Sequence, residues 1–163
     1  MNIDEIPAEV RWEIAAKSAT ALPVVYDMIF RKALGSKYDE LELPIWIEGG
    51  KEVKKIADAL HLPLNNAREI SNAYAVVSKI LFGPELRWRK TAEGDFKVVG
   101  RVTGCPLLNR AQEMGVYPGV LLNACQAYSR SAVENLNPKY THRHRRSMCA
   151  GDPYCEATIQ LKK

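Results

Sequence analysis

The spacing of apolar residues changes once along this chain, near residue 84, and that change constrains the fold more than any other feature. Before it, Val10, Ile14, Ala21, Val25 and Ile29 recur near helical spacing, and Gly35 supplies a stop. Pro23 falls inside this run, so the sequence predicts two helices or one kinked helix, because proline removes a backbone donor. Leu43-Pro44-Ile45-Trp46 reads as a short apolar connector. A helix over about 51–61 follows, with Val53, Ile56, Ala59 and Leu60 inward. Another starts at Asn65-Asn66, both good N-cap residues, and ends at Gly83-Pro84.

Beyond residue 84 the apolar period shortens to two. Leu86 and Trp88 alternate with Arg87 and Arg89; after Glu93-Gly94-Asp95, Phe96, Val98 and Val102 alternate with Lys97, Val99 and Arg101. This is a β-hairpin pattern. Two helices follow, Pro106 to about Met114 and Pro118 to about Leu136, each opened by a proline. A strand through Tyr140 to Met148, a turn at Ala150-Gly151-Asp152-Pro153 and a strand to Leu161 close the chain. The sequence therefore predicts an α+β protein: a helical N-terminal lobe over 1–83, then an α+β half over 84–163, forming one unit. The sheet is expected to be four-stranded and antiparallel, with helices on one face.

A chain of 163 residues with 47% hydrophobic and 26% charged residues can build a proper core. Its net charge of +4 permits an anionic partner without demanding one. Met1-Asn2-Ile3-Asp4-Glu5 lacks the basic-then-apolar order of a signal peptide, and apolar stretches such as 73–81 are too short to span a bilayer. The expectation is a cytoplasmic protein without a membrane partner. Thiols stay reduced there, so four cysteines read as free thiols, metal ligands or redox groups before they read as disulfides.

Each cysteine sits in a different setting. Cys105 ends a strand just before Pro106 and would cap the next helix, where amide hydrogens and the helix dipole favour a thiolate of lowered pKa; the equal alternative is a buried, inert thiol at the strand–helix junction. Cys125 shares a helical face with Leu121, Leu122, Tyr128 and Ala132, a core arrangement. Cys149 and Cys155 flank the last turn, where they could form a metal clip, a redox couple or neither. Cys155 is in phase with Ala157, Ile159 and Leu161, which should face the core while Glu156, Thr158 and Gln160 face out. Together Cys105, Cys125, Cys149 and Cys155 could complete a zinc site or an iron–sulfur cluster, although no Cys-x-x-Cys pair occurs.

Thr103-Gly104-Cys105-Pro106, Gly115, Cys125 with Tyr128 one turn on, and Arg146-Ser147-Met148 leading to Gly151-Asp152-Pro153-Tyr154-Cys155 resemble the L-2-amino-thiazoline-4-carboxylic acid hydrolase-like family. That resemblance implies ring opening of a small sulfur heterocycle. Cys105 would be the nucleophile or a metal ligand, with Asp152 or a histidine such as His144 moving the proton. The chain departs from the family at Tyr128, where an acidic residue often stands, and in carrying Cys149. Tyr128, His142 and Arg146 would contact the substrate, His142 and His144 sharing a strand face with Arg146. The other reading of this basic strand is a solvated face.

A different function class comes from residues 55–68, which resemble a helix-turn-helix followed by a wing-like hairpin. Asn65, Asn66, Arg68 and Asn72 would face the groove, yet that helix holds only Arg68 and Lys79 as basic residues, few for phosphate contacts. The leading expectation is a thiolate site acting on, or holding, a small sulfur- or nitrogen-containing molecule. A non-catalytic ligand- or cluster-binding sensor comes next, and DNA binding third. A homo-oligomer is compatible with all three.

Overall fold

The computed structural model describes residues 2–163, and it makes helical the segment around Pro44 that the sequence marks as a connector. Helix α1 runs unbroken over Ala8–Leu34, through Pro23. Ala16 and Thr20 before the proline and Val24 and Asp27 after it lie on one buried stripe, so packing on both sides holds the helix together despite the lost donor. Helix α2 spans Lys37–Ala59, so the expected connector at residues 43–46 is helical instead. Trp46 Nε1 donates to Glu42 Oε1 at 2.9 Å, bridging the turn that Pro44 interrupts. Gly49 and Gly50 do not end this helix. A Cβ at Gly50 would lie 2.6 Å from Ser131 Cβ and 2.7 Å from the Tyr128 carbonyl oxygen, so glycine is what lets α2 approach the later helix so closely.

Helix α3 covers Ala67–Phe82, and its N-cap is the expected one: Asn66 Oδ1 accepts the Glu69 N–H at 3.0 Å. Strands β1 (Arg87–Glu93) and β2 (Lys97–Gly104) form the hairpin, α4 covers Pro106–Glu113, and a 3-10 turn at Pro118–Leu121 leads into α5 (Leu122–Leu136). Strands β3 (Tyr140–Arg146) and β4 (Cys155–Leu161) finish the chain.

The sheet is four-stranded and antiparallel, in the order β1-β2-β4-β3. The protein is thus α+β. Register places Val102 opposite Cys155, Gly100 opposite Ala157 and Val98 opposite Ile159; His144 and His142 face Ala157 and Ile159 from the other side. These residues share one face of the sheet. Helices α2, α3 and α5 cover it, with Val53, Ile70, Val77, Val98, Val133 and Ile159 in the main core. A second cluster, Val24, Leu107, Ala111 and Leu121, fastens α1 to α4.

Several inward–outward expectations fail: Leu60 and Leu161, expected inward, are 46% and 39% exposed, and Ala59 faces out as well. Phe96 is 72% exposed, standing at the hairpin end beyond the reach of the helices, and Thr158 is 2% exposed although it lies on the face expected to meet water. No described helix is long and apolar enough to cross a membrane.

Candidate functional site

A cavity of about 120 Å³ opens between the inner face of the sheet and helices α3 and α5. Trp46, Phe82, Trp88 and Leu107 supply much of its apolar wall. The Phe82 and Trp46 rings meet Tyr128 edge-on at 5.5 and 6.1 Å between centroids. Trp88 fits because Gly100 lies beneath it: a Cβ there would come 2.5 Å from the indole Nε1. The glycine in β2 thus shapes the cavity wall.

Among the described residues, no Asp, Glu, Lys or Arg lines this space. Its ionisable groups are held neutral. His142, 7% exposed, has its pKa lowered to about 3, first by burial and then by the charges of His144 and Arg130. His144 is lowered for the same leading reason. Tyr128 and Tyr74 are pushed up by burial, which disfavours the phenolate. Tyr74 donates to Ser129 Oγ at 2.9 Å, but Tyr128 Oη and His142 Nδ1 are buried with no hydrogen-bond partner within the protein. With Ser78 Oγ, which is likewise unpartnered, three polar atoms beside a neutral, apolar cavity mark a place where a ligand's polar group would be welcome.

The cysteines gather at this same end of the molecule. Cys105, Cys125 and Cys155 line the cavity, and Cys149 packs nearby against the second core cluster with Cys105. All four are free, so Cys149 and Cys155 form no disulfide. The expected low-pKa thiolate at Cys105 is not what the environment favours. The Leu108 and Leu107 N–H groups favour the thiolate without making a full cap hydrogen bond, and burial outweighs them, raising the pKa. Cys125 is raised by burial and then by the nearby sulfurs of Cys105, Cys149 and Cys155; Cys149 is raised to about 12 for like reasons. Cys155 is also raised by burial, although its Sγ accepts the Met148 N–H at 3.2 Å. Among the described residues, no group of three or more His, Cys, Asp or Glu side chains is placed to hold a metal ion.

The remaining expected site residues divide. Tyr128, His142 and His144 line the cavity, so the basic strand is not simply a solvated face: Arg143 and Arg145 face water while the two histidines turn inward, their rings 4.7 Å apart. Arg146 does not line it. A register shift between His144 and Arg146 breaks the alternation, and the Arg146 guanidinium lies 5.3 Å from the Tyr154 ring instead. Asp152 accepts the Ser147 N–H at 2.8 Å and braces the loop before β4, with Gly151 in the left-handed region at φ 95°. Trp46, Trp88, Phe82 and Tyr74 were not anticipated as lining residues. The one available signal was Gly100 in the middle of an otherwise regular strand.

The side chains expected to read DNA are engaged within the chain. Arg68 pairs with Glu93 and Asp95, Asn65 donates to Glu69, and Asn72 accepts from Lys90.

His142 and His144 also border a second, polar cleft of about 530 Å³, where Arg130, Arg143 and Lys162 stand with Glu134. Glu134 accepts from both Thr141 and Lys162.

No family model and no curated protein matches this chain. Solved structures do. The phenol-responsive sensory domain of the transcription activator PoxR, determined with phenol, superposes with a TM-score of 0.62 at 11% identity, covering 87% of this chain and 74% of that one. Subunit 3 of a trafficking protein particle complex from Naegleria fowleri, covalently bound to palmitic acid, gives a TM-score of 0.58 at 14% identity over 94% of this chain and 96% of that one. At such identities the likeness is one of fold.

Proposed function

We propose that this protein is a ligand-binding module of the sensory or accessory kind, and that its cavity takes a small, neutral, largely apolar molecule with one hydrogen-bonding group. The observation that carries this reading is the pairing of an uncharged apolar cavity with three unpartnered polar atoms, Ser78 Oγ, Tyr128 Oη and His142 Nδ1. Size supports it: an apolar protein cavity of about 150 Å³ accommodates benzene, and this one measures about 120 Å³. A one-ring compound fits with slight adjustment, whereas a long acyl chain does not. Charge supports it too, since an ionised ligand would be buried against neutral thiols and a neutral imidazole, at a cost of several kcal/mol. The fold shared with a phenol-responsive sensory domain is consistent with this class of ligand.

Trp46 and Trp88 stand in the cavity wall and report on its contents. Titration with phenol should change tryptophan fluorescence saturably, while benzoate and hexadecanoate should not. Equal responses to phenol and benzoate would remove the claim of a neutral ligand.

A second reading places zinc or an iron–sulfur cluster on Cys105, Cys125, Cys149 and Cys155. It is favoured by the gathering of four thiols and by the Met148 N–H directed at Cys155 Sγ, which would stabilise a thiolate ligand. Binding would require the sulfurs to close in and release protons. Elemental analysis of protein purified without oxygen should then give stoichiometric zinc or iron; metal-free protein retaining its fold would end this reading. The hydrolytic reading, with Cys105 attacking and His144 or Asp152 moving the proton, has less support, because burial keeps the Cys105 thiol protonated and Asp152 is already engaged by Ser147. Cys105→Ala tests it through loss of ring opening of the thiazoline acid.

A further inference from the structure

Helix α1 is inverted. The stripe it buries against the rest of the protein is small or polar (Ala16, Thr20, Val24 and Asp27), while Leu22, Tyr26, Ile29 and Phe30 lie on the opposite side and face outward. Asp27 is buried and held by the half-buried Arg31, whose Nη2 lies 2.6 Å from Asp27 Oδ2 and 2.8 Å from Asp39 Oδ1, so a carboxylate sits inside the α1–α2 junction while large apolar groups face out. The outward stripe continues onto α2. Phe30 contacts Tyr26 at 6.0 Å and Tyr38 at 5.9 Å between ring centroids, and beyond Tyr38 stand Leu41 and Ile45, the latter 67% exposed.

We propose that this α1–α2 face is the interface of a homodimer, in which the two helical hairpins of two copies pack together as a four-helix layer. The excess exposed area of the chain matches what one partner copy would cover. A compact monomer of 18.3 kDa is expected to expose about 8,100 Å². This chain exposes 9319 Å², an excess of about 1,200 Å². A stable dimer buries about 1,000 Å² or more from each partner, so one interface of ordinary size removes the excess. A 27-residue helix is about 40 Å long, long enough to carry such a contact along its length. Paired with a copy of itself, the stripe meets an identical apolar stripe across a two-fold axis, the self-complementary arrangement that most soluble oligomers use. The interface lies on the helical hairpin and leaves the cavity residues of the sheet untouched.

Sedimentation equilibrium of the whole chain over a dilution series gives the test. The wild type should show twice the monomer mass. Ile29→Glu/Ile45→Glu should sediment as a monomer with an unchanged far-ultraviolet circular dichroism spectrum, because both side chains are solvent-facing in the single chain. Val76→Glu, at an exposed apolar position on α3 rather than on the α1–α2 hairpin, should remain a dimer. Should the double variant fail to fold, Ile45→Glu alone should weaken dimerisation at least tenfold. A monomeric wild type would overturn the proposal, as would a folded double variant that stays dimeric, or a monomer that instead floats with lipid vesicles.

Discussion

His142 is the residue whose chemistry departs furthest from its behaviour in water. Its pKa falls from 6.5 to about 3 on folding, so between those values the unfolded chain takes up a proton that the native chain refuses. Stability is therefore full above about pH 6.5 and falls as the pH drops towards 3, by about 5 kcal/mol in the limit. His144, lowered in the same direction, adds to the slope. Urea unfolding at a series of pH values should show this decline, and His142→Phe should flatten it. A wild-type curve level from pH 7 to 4 would contradict the buried neutral imidazole. Tyr128 gives the complementary experiment. Its hydroxyl is buried without a partner, so Tyr128→Phe should leave stability unchanged or raise it by about 1 kcal/mol. The same variant should weaken phenol binding about fivefold to tenfold, as expected for one lost hydrogen bond. A purely structural tyrosine would not separate the two readouts.

At the scale of elements, legibility followed the nature of each signal. The switch from helical to alternating spacing located the hairpin, and Asn66, Gly83 and Pro106 marked helix ends where the structure has them. Those are local signals, decided by a residue's own backbone and its near neighbours. Pro44 misled because contacts distant in sequence decide there: α2 continues through it since both flanks are packed, and at Pro23 α1 is one helix, the second of the two forms its sequence allows. The two adjacent glycines separate cleanly in experiment. Gly50→Ala should destabilise by about 2 kcal/mol, since its methyl would meet the α5 backbone at 2.7 Å. Gly49→Ala has only the Tyr128 ring edge at 3.8 Å and should be neutral or stabilising by about 0.5 kcal/mol through helix propensity. Thermal unfolding of both variants checks this; equal effects would deny the close α2–α5 approach.

For the whole molecule, the sequence placed chemistry in the C-terminal half, and the cavity does lie against that half's sheet. What spacing could not convey is that α2 and α3 contribute Trp46, Tyr74 and Phe82 to the same wall, since only the tertiary fold brings residues 46 and 142 together. Nor could it show burial, which turns Cys105 from an expected thiolate into a protonated thiol. Cys105, Cys125 and Cys155 remain at the site, but as part of a neutral lining. Occupancy of that lining can be measured directly. Ala157 faces the cavity from β4, and Ala157→Leu would fill space that a ligand needs while keeping the lining apolar. Calorimetric titration of the wild type and of Ala157→Leu with phenol is the decisive experiment. The wild type should bind one phenol per chain and the variant, folded and at least as stable, should bind none. No heat of binding from the wild type, or equal affinity in both proteins, would contradict the account.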